Sequence, residues 1–300
     1  MNEILSLQNV SKQFKDKVAV DQVSFSIKKG EVVAILGPNG AGKTTTLLMM
    51  LGLLEQTSGD IKLFNENPRT KSVREKIGAM LQEVSVIDAL KVSEVIQLFR
   101  SYYPKPLGFE ELVQITGFQE DELKKRANKL SGGQKRRLAF ALALAGNPDL
   151  LFFDEPTVGM DITSRKMFWN TISTLKEQGK TIIFTTHYLQ EADDIAERIL
   201  LFHKGSVVAE GTPKEIKRRL SKQSVSFQSN QEIPIEELRN LSGVTEVFTK
   251  DHRTHVVAEN TDLVLAYLFE KKLQISAVQI EQGRLDEAFE QLTEASKEAI

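Results

Sequence analysis

The chain has 300 residues, long enough for a main domain and a smaller one, with the 41% hydrophobic and 27% charged content of a soluble protein that buries a sizeable core. A formal net charge of −2 supplies no basic field for nucleic acid, so no nucleic-acid partner is expected. The absence of cysteine excludes disulfides, thiolate metal sites and cysteine nucleophiles, and fits a reducing compartment.

The opening residues, MNEILSLQNVSKQF, show no basic region followed by an apolar core, so no secretory signal is expected. Residues 5–10 and 23–27 alternate apolar and polar, and with 59–64 they predict a small antiparallel layer. Residues 32–36 are continuously apolar, as in a strand buried on both faces of a parallel sheet, and 150–153, 182–185 and 199–202 repeat that pattern. Helices predicted over 45–54 and 164–177 complete the βαβ rhythm of an α/β core. Between Gln82 and Pro148 the pattern turns helical, with helices predicted over 92–103, 109–116, 120–125 and 134–144, an insertion into that core. The main domain is therefore expected over 1–215, with a helical subdomain over about 83–148. Beyond Gly211 a charged helix opens at Thr212-Pro213, and the order strand, helix, strand, strand, helix, strand follows over 224–280. That is βαββαβ, a small ferredoxin-like α+β domain expected over 216–300, with a closing helix at 285–292. No apolar stretch approaches the ~20 residues of a membrane-crossing helix.

Residues 37–45 read GPNGAGKTT, between a buried strand and a helix. Gly37, Gly40 and Gly42 let the backbone approach oxygen atoms closely, and with Pro38, Asn39 and Ala41 they form an anion nest at the helix's positive end. Lys43 brings a point charge to the β- and γ-phosphates, Thr44 offers a hydroxyl to Mg²⁺, and Thr45 reaches the α-phosphate. The plain alternative is a glycine-rich turn with an incidental lysine. At 150–153 an apolar strand delivers Asp154 and Glu155, adjacent carboxylates that are costly unless paired or bound to a cation. Asp154 is placed to hold Mg²⁺ through water and Glu155 to orient or deprotonate an attacking water. Alone the two acids could merely cap a helix; beside a phosphate loop that reading weakens. Residues 130–134 read LSGGQ, a small-residue turn bearing a hydroxyl just before a basic helix, also able to hold a phosphate.

These motifs together resemble the ATP-binding subunit of ATP-binding-cassette (ABC) transporters over about residues 3–211, which implies a P-loop NTPase core. The resemblance implies ATP and Mg²⁺ as cofactors and ATP hydrolysis as the activity. It further implies that Phe14 stacks on adenine, that Gln82 senses Mg²⁺ and couples to a membrane partner, and that His187 bonds the γ-phosphate. Ser131, Gly132, Gly133 and Gln134 would reach the nucleotide of a second protomer, and Asp161 would cross that dimer interface. Val158 stands where many relatives carry a small polar residue. Outside the resemblance, Phe14 is a surface aromatic, Gln82 carries no signal, and His187 is an unassigned histidine at a strand end.

The implied partners are one or more separate membrane-spanning permease subunits, and either a second copy or a second ABC ATPase. The implied place is the cytoplasmic face of a bacterial membrane. The last ~85 residues resemble the C-terminal extension of drug-resistance exporter ATPases, best at LDEAFEQLT over 285–293, with a dimer-stabilising role favoured and regulator or ligand binding second. An exporter is expected; an importer ATPase or a soluble ABC ATPase of translation are the alternatives. A chromosome-structure ATPase would need a long coiled coil between Lys43 and Ser131, for which there is no room. Val84, Val86, Ile87 and Leu90 are read equally as a local core or a docking surface for the permease. Lys135, Arg136 and Arg137 are read as the solvated face of a helix ahead of a phosphate-binding patch, and Lys214, Lys217, Arg218 and Arg219 as a solvated helix ahead of contact with lipid headgroups.

Overall fold

Residues 3–82, 87, 89–220, 223–229, 231, 233–250, 253–258, 260–271 and 273–282 are described in a computed structural model. The chain divides into two units, Met1–Thr212 and Pro213–Ile300. In the first, the order is β1 (Glu3–Phe14), β2 (Lys17–Lys28), β3 (Val32–Leu36), α1 (Lys43–Met50), β4 (Ser58–Leu63), α2 (Lys71–Arg74), β5 (Ile77–Met80) and α3 (Val92–Arg100). It continues through α4 (Phe109–Thr116), α5 (Glu120–Leu123), α6 (Gly132–Leu144), β6 (Leu150–Asp154), α7 (Ile162–Glu177), β7 (Thr181–Thr186), α8 (Leu189–Ile195), β8 (Arg198–His203) and β9 (Ser206–Gly211).

The apolar runs become the middle of a six-stranded sheet of order β5-β6-β7-β3-β8-β9, parallel except for the β8–β9 hairpin. Every residue of β3, β6 and β7 is buried, as continuous apolar strands covered on both faces must be. The alternating segments form a second, three-stranded antiparallel sheet of order β2-β1-β4. Leu5, Ile27, Val33, Leu47, Phe152 and Phe202 join both sheets and α1 in one core. Each such side chain stabilises the fold by roughly 1.5–3 kcal/mol relative to exposure.

On the far side of the large sheet, Phe140 of α6, Phe153 of β6, Phe168 and Trp169 of α7, and Phe184 of β7 form an aromatic chain with ring centroids 4.9–5.7 Å apart. It seats α6 and α7 against β6, which ends in the acids, and against β7 beside it. Two strands were not foreseen. β5 has only four residues and includes Gly78, while β9 is a half-exposed edge strand. At Gly78 an added Cβ would stand 2.0 Å from the Ala143 carbonyl oxygen, so this glycine is where α6 meets the sheet edge.

The second unit runs α9 (Pro213–Leu220), β10 (Gln223–Ser229), α10 (Ile235–Arg239), β11 (Val244–Lys250), β12 (Arg253–Ala258), α11 (Thr261–Glu270) and β13 (Ile275–Gln282). Its four strands pair antiparallel in the order β11-β12-β10-β13. Val225, Phe227, Leu238, Val256, Val264 and Leu268 form its own core. The unit begins at Pro213, where the ring fixes φ for a helix start, three residues before the expected boundary. The helix expected at 285–292 and the LDEAFEQLT motif lie outside the described residues, as do Val84 and Val86. Among the described residues no helix is long and apolar enough to cross a membrane.

Candidate nucleotide site

Where β3 ends, the loop of residues 37–42 turns the chain into α1. Gly42 is the N-cap of α1 at φ +98°, with no side chain capping the helix. A Cβ there would stand 2.6 Å from the Ala19 carbonyl, and one at Gly37 would stand 2.5 Å from that of Phe202, so both positions require glycine. Gly40, at φ +81°, has open space on its Cβ side. The first intrahelical bond closing onto Gly42 comes from the Thr46 N–H, at 2.9 Å. The N–H groups of Lys43, Thr44 and Thr45 precede it and have no acceptor within the helix. An uncapped helix start behind a glycine nest is a place for an anion. The Ala41 N–H is used inside the loop, donating to Pro38 O at 3.2 Å.

Lys43 is 4% exposed. Its Nζ donates to Gly37 O at 2.8 Å and Pro38 O at 3.1 Å, and lies 3.4 Å from Glu155 Oε1. Burial pushes its pKa below the usual lysine value, against the pull of Glu155 and Asp154. Asp154 is 1% exposed, and its Oδ1 accepts from Thr185 Oγ1 at 2.5 Å and Thr44 Oγ1 at 3.1 Å. Burial holds this carboxyl above the ordinary aspartate value despite both hydroxyls. The Thr44 hydroxyl and Asp154 carboxylate thus put hard oxygen donors side by side at the phosphate loop, a donor set that fits Mg²⁺.

Glu155 is buried with φ +45°, a backbone region sparsely used by any residue but glycine. Its N–H is shared between Thr185 Oγ1 at 2.9 Å and Thr185 O at 3.2 Å. His187 Nδ1 lies 3.3 Å from Glu155 Oε1, off the line of a hydrogen bond. A cavity of about 470 Å³ opens over these groups. Phe14, Lys17 and Ala19 of the β1–β2 hairpin wall one side; Asn39, Gly40, Gly42, Lys43, Thr44 and Thr45 form the loop; Gln82 and Glu155 complete it. Phe14 is 45% exposed, with Lys12 Nζ 5.0 Å from its ring centre.

The signature is built elsewhere: none of residues 131–134 lines this cavity. Ser131 is the N-cap of α6, its Oγ accepting from Gln134 N at 3.3 Å while Gln134 Oε1 accepts from Ser131 N at 2.9 Å. This capping box, legible as S-x-x-Q, starts the helix two residues earlier than expected. A Cβ on Gly132 or Gly133 would meet nothing within 4 Å, so packing within this chain does not call for glycine there. Gln134 Nε2 and Arg137 Nη2 donate to Glu122 Oε1 at 2.7 and 2.6 Å. Burial works to raise the Glu122 carboxyl, but these donors and the Gln119 N–H outweigh it and hold it low. Asp161 caps α7, accepting from Ser164 N at 2.9 Å and Ser164 Oγ at 2.7 Å.

The solvated-face reading of the basic run fails for two of its three residues. Arg137 answers the buried Glu122. Arg136 Nη1 donates to Glu155 O at 3.2 Å and Pro156 O at 3.1 Å, carbonyls at a strand end that lack ladder partners. The sequence also left Thr185 and Glu191 unmarked. Glu191, 5% exposed, accepts from Thr157 Oγ1 and from Thr186 Oγ1 at 2.8 Å, with Arg165 Nε 3.7 Å away. A polar TT pair closing an apolar strand was the available signal for Thr185 and Thr186.

Comparison with known proteins gives this geometry its family. The family described as "ABC transporter" matches residues 20–158. The chain is 37% identical over 215 residues to the Nod factor export ATP-binding protein I of Burkholderia orbicola, covering 70% of this chain and 71% of that protein. It is 31% identical over 306 residues to the linearmycin resistance ATP-binding protein LnrL of Bacillus subtilis, covering 97% and 98%. Among solved structures, the dimeric post-hydrolysis state of the ATP-binding cassette MJ0796 bound to ADP and Pi aligns at a TM-score of 0.65 and 30% identity, over 70% of this chain and 99% of that one. The chain belongs to the ABC transporter family, as an ATP-binding and ATP-hydrolysing subunit.

Proposed function

We propose that this ATPase drives a bacterial exporter by closing and reopening a pair of cassettes around ATP, docked to a separate permease at the cytoplasmic face of the membrane. The observation that carries the reading is a separation. Lys43, Thr44 and Glu155 line one cavity with Asp154 bonded to Thr44 behind them, while the capped and open signature turn takes no part in its lining. A head-to-tail pair related by a two-fold axis would bring each signature to its twin's phosphates. The alignment to the MJ0796 cassette, solved as a dimer, supports that arrangement.

In this reading the loop amides and Lys43 hold the phosphates, and Phe14 offers a ring to the adenine. Thr44 and Asp154, with Gln82 at the cavity wall, would hold Mg²⁺, whose charge would offset that of the phosphates. Glu155 orients the attacking water and takes its proton as the water oxygen bonds to the γ-phosphorus and the bond to the ADP oxygen breaks. His187, Ser131, Gly132, Gly133 and Gln134 bond the γ-phosphate, so its loss loosens the pair, and Asp161 lies at the seam.

Export as the direction is supported by the two relatives, one named for Nod factor export and one for linearmycin resistance. The second aligns through the C-terminal unit as well. A drug, antibiotic, peptide or lipid-like cargo fits those names. The accessory unit reads as a ferredoxin-like domain, supported by its βαββαβ order and the strand order β11-β12-β10-β13. Its favoured role is to stabilise the dimer.

Glu155→Gln is expected to bind ATP, to lose turnover by roughly 10²-fold or more, and to accumulate an ATP-bound dimer in size-exclusion chromatography. Full-rate hydrolysis by a strictly monomeric chain would overturn the reading.

A further inference from the structure

We propose that Arg136, carried on the signature helix, is a positioning residue that aims Glu155. The proposal rests on Glu155 acting on the attacking water. The backbone of Glu155 sits at φ +45°, where a non-glycine residue is strained by about 1–3 kcal/mol, and such a conformation persists only when its surroundings over-determine it. From the strand side, Thr185 takes the Glu155 N–H through both its hydroxyl and its carbonyl. The next peptide is harder to hold, because Pro156 has no N–H to give. It is held through oxygen instead. Arg136 Nη1 brackets that peptide, donating to the carbonyls of Glu155 and Pro156 at 3.2 and 3.1 Å. The ladder between β6 and β7 ends at Asp154 and Thr185, so neither carbonyl has a strand partner; Glu155 O takes the Val158 N–H at 3.3 Å as well, and Arg136 adds the side-chain hold from α6.

Arg136 lies on α6, the helix that Ser131 caps and whose first turn holds Gly132, Gly133 and Gln134. One rigid helix therefore carries the signature at its start and a two-pronged grip on Glu155 a turn later. A shift of α6 on meeting the phosphates of a second copy reorients the Glu155 peptide in the same chain. Arg136 does not line the nucleotide cavity, so its effect is on the aim of the carboxylate and not on ATP binding.

The test is a double-mutant cycle in the full chain. Arg136→Met is expected to lower kcat by roughly ten- to hundredfold, the scale of a misplaced reacting group, with the KM for ATP within about twofold. On a Glu155→Gln background, single-turnover hydrolysis should lose nothing more, because the group being aimed is gone. The same cycle run with Arg136→Gln, whose amide is polar but about two bonds too short to reach both carbonyls, covers the case in which Arg136→Met does not fold. No loss in either variant, or an equal loss on both backgrounds, overturns the proposal, the latter leaving Arg136 a plain structural tie. Near-normal turnover by Glu155→Gln alone would instead sink the role of Glu155 itself.

Discussion

Burying Asp154 at the end of β6 works against stability, and in the proposed function it serves to hold the metal. Its carboxyl is held above the ordinary value of 3.8, chiefly by burial, so its ionised form weakens the fold. The sign follows from the direction of the shift. Above the raised folded-state pKa the native state bears the penalty of a buried charge; as pH falls through that pKa toward 3.8, the proton returns and the penalty fades. Asp154→Asn keeps an oxygen to accept from Thr185 and Thr44 while removing the charge. At pH 7 it is expected to unfold about 2–4 °C higher than the parent, the shift that ~1 kcal/mol gives a domain of this size, with hydrolysis abolished. The gain should shrink in thermal scans taken at progressively lower pH. A variant less stable than the parent at neutral pH would contradict the argument. At this scale the sequence is readable where rare residues cluster: GPNGAGKTT lies at the turn from β3 into α1, LSGGQ at the start of α6 and the acid pair at the end of β6. Thr185 and Arg136 were not readable, because a threonine ending a strand and an arginine on a helix have many ordinary uses, and only the fold sets them against Glu155.

Between elements, α6 decides how the signature is presented. Its N-terminus is fixed by the Ser131–Gln134 capping box and by Glu122 on α5, and its other end lies against the sheet edge at Gly78. Gly78→Ala drives a methyl against the Ala143 carbonyl, so α6 must retreat or β5 must yield. The expected destabilisation is about 1–3 kcal/mol, the usual range for overpacking, measured by chemical denaturation. An unchanged midpoint would show that the edge gives way freely. The buried central strands were legible from their continuous apolar runs, and the antiparallel layer from its alternation. β5 escaped because four residues containing a glycine carry too little pattern, and β9 because an edge strand lacks the apolar signature of its covered neighbours.

At the scale of the whole molecule, two separate cores imply two separable stabilities. One joins the sheets of the first unit; the other lies between the four-stranded sheet and α10 and α11. A chain ending at Thr212 is expected to fold and to bind ATP within about twofold of the full chain, since no residue lining the nucleotide cavity lies beyond it. Calorimetry of the two chains and a nucleotide titration check this, and loss of ATP binding on truncation would show that the units depend on one another. The division into two units follows the change of element order after Gly211, and the boundary falls three residues earlier than expected, at Pro213, where the ring opens a helix.

The carboxylate of Glu191 clasps Thr157 beyond β6 and Thr186 at the end of β7, with Arg165 of α7 close by. The active end of the sheet is therefore stiff where connecting segments usually breathe. In the proposed function, spent nucleotide leaves past this braced rim. If, as proposed, two cassettes enclose it, its escape waits on their parting, and that wait turns a chemical event into mechanical stroke.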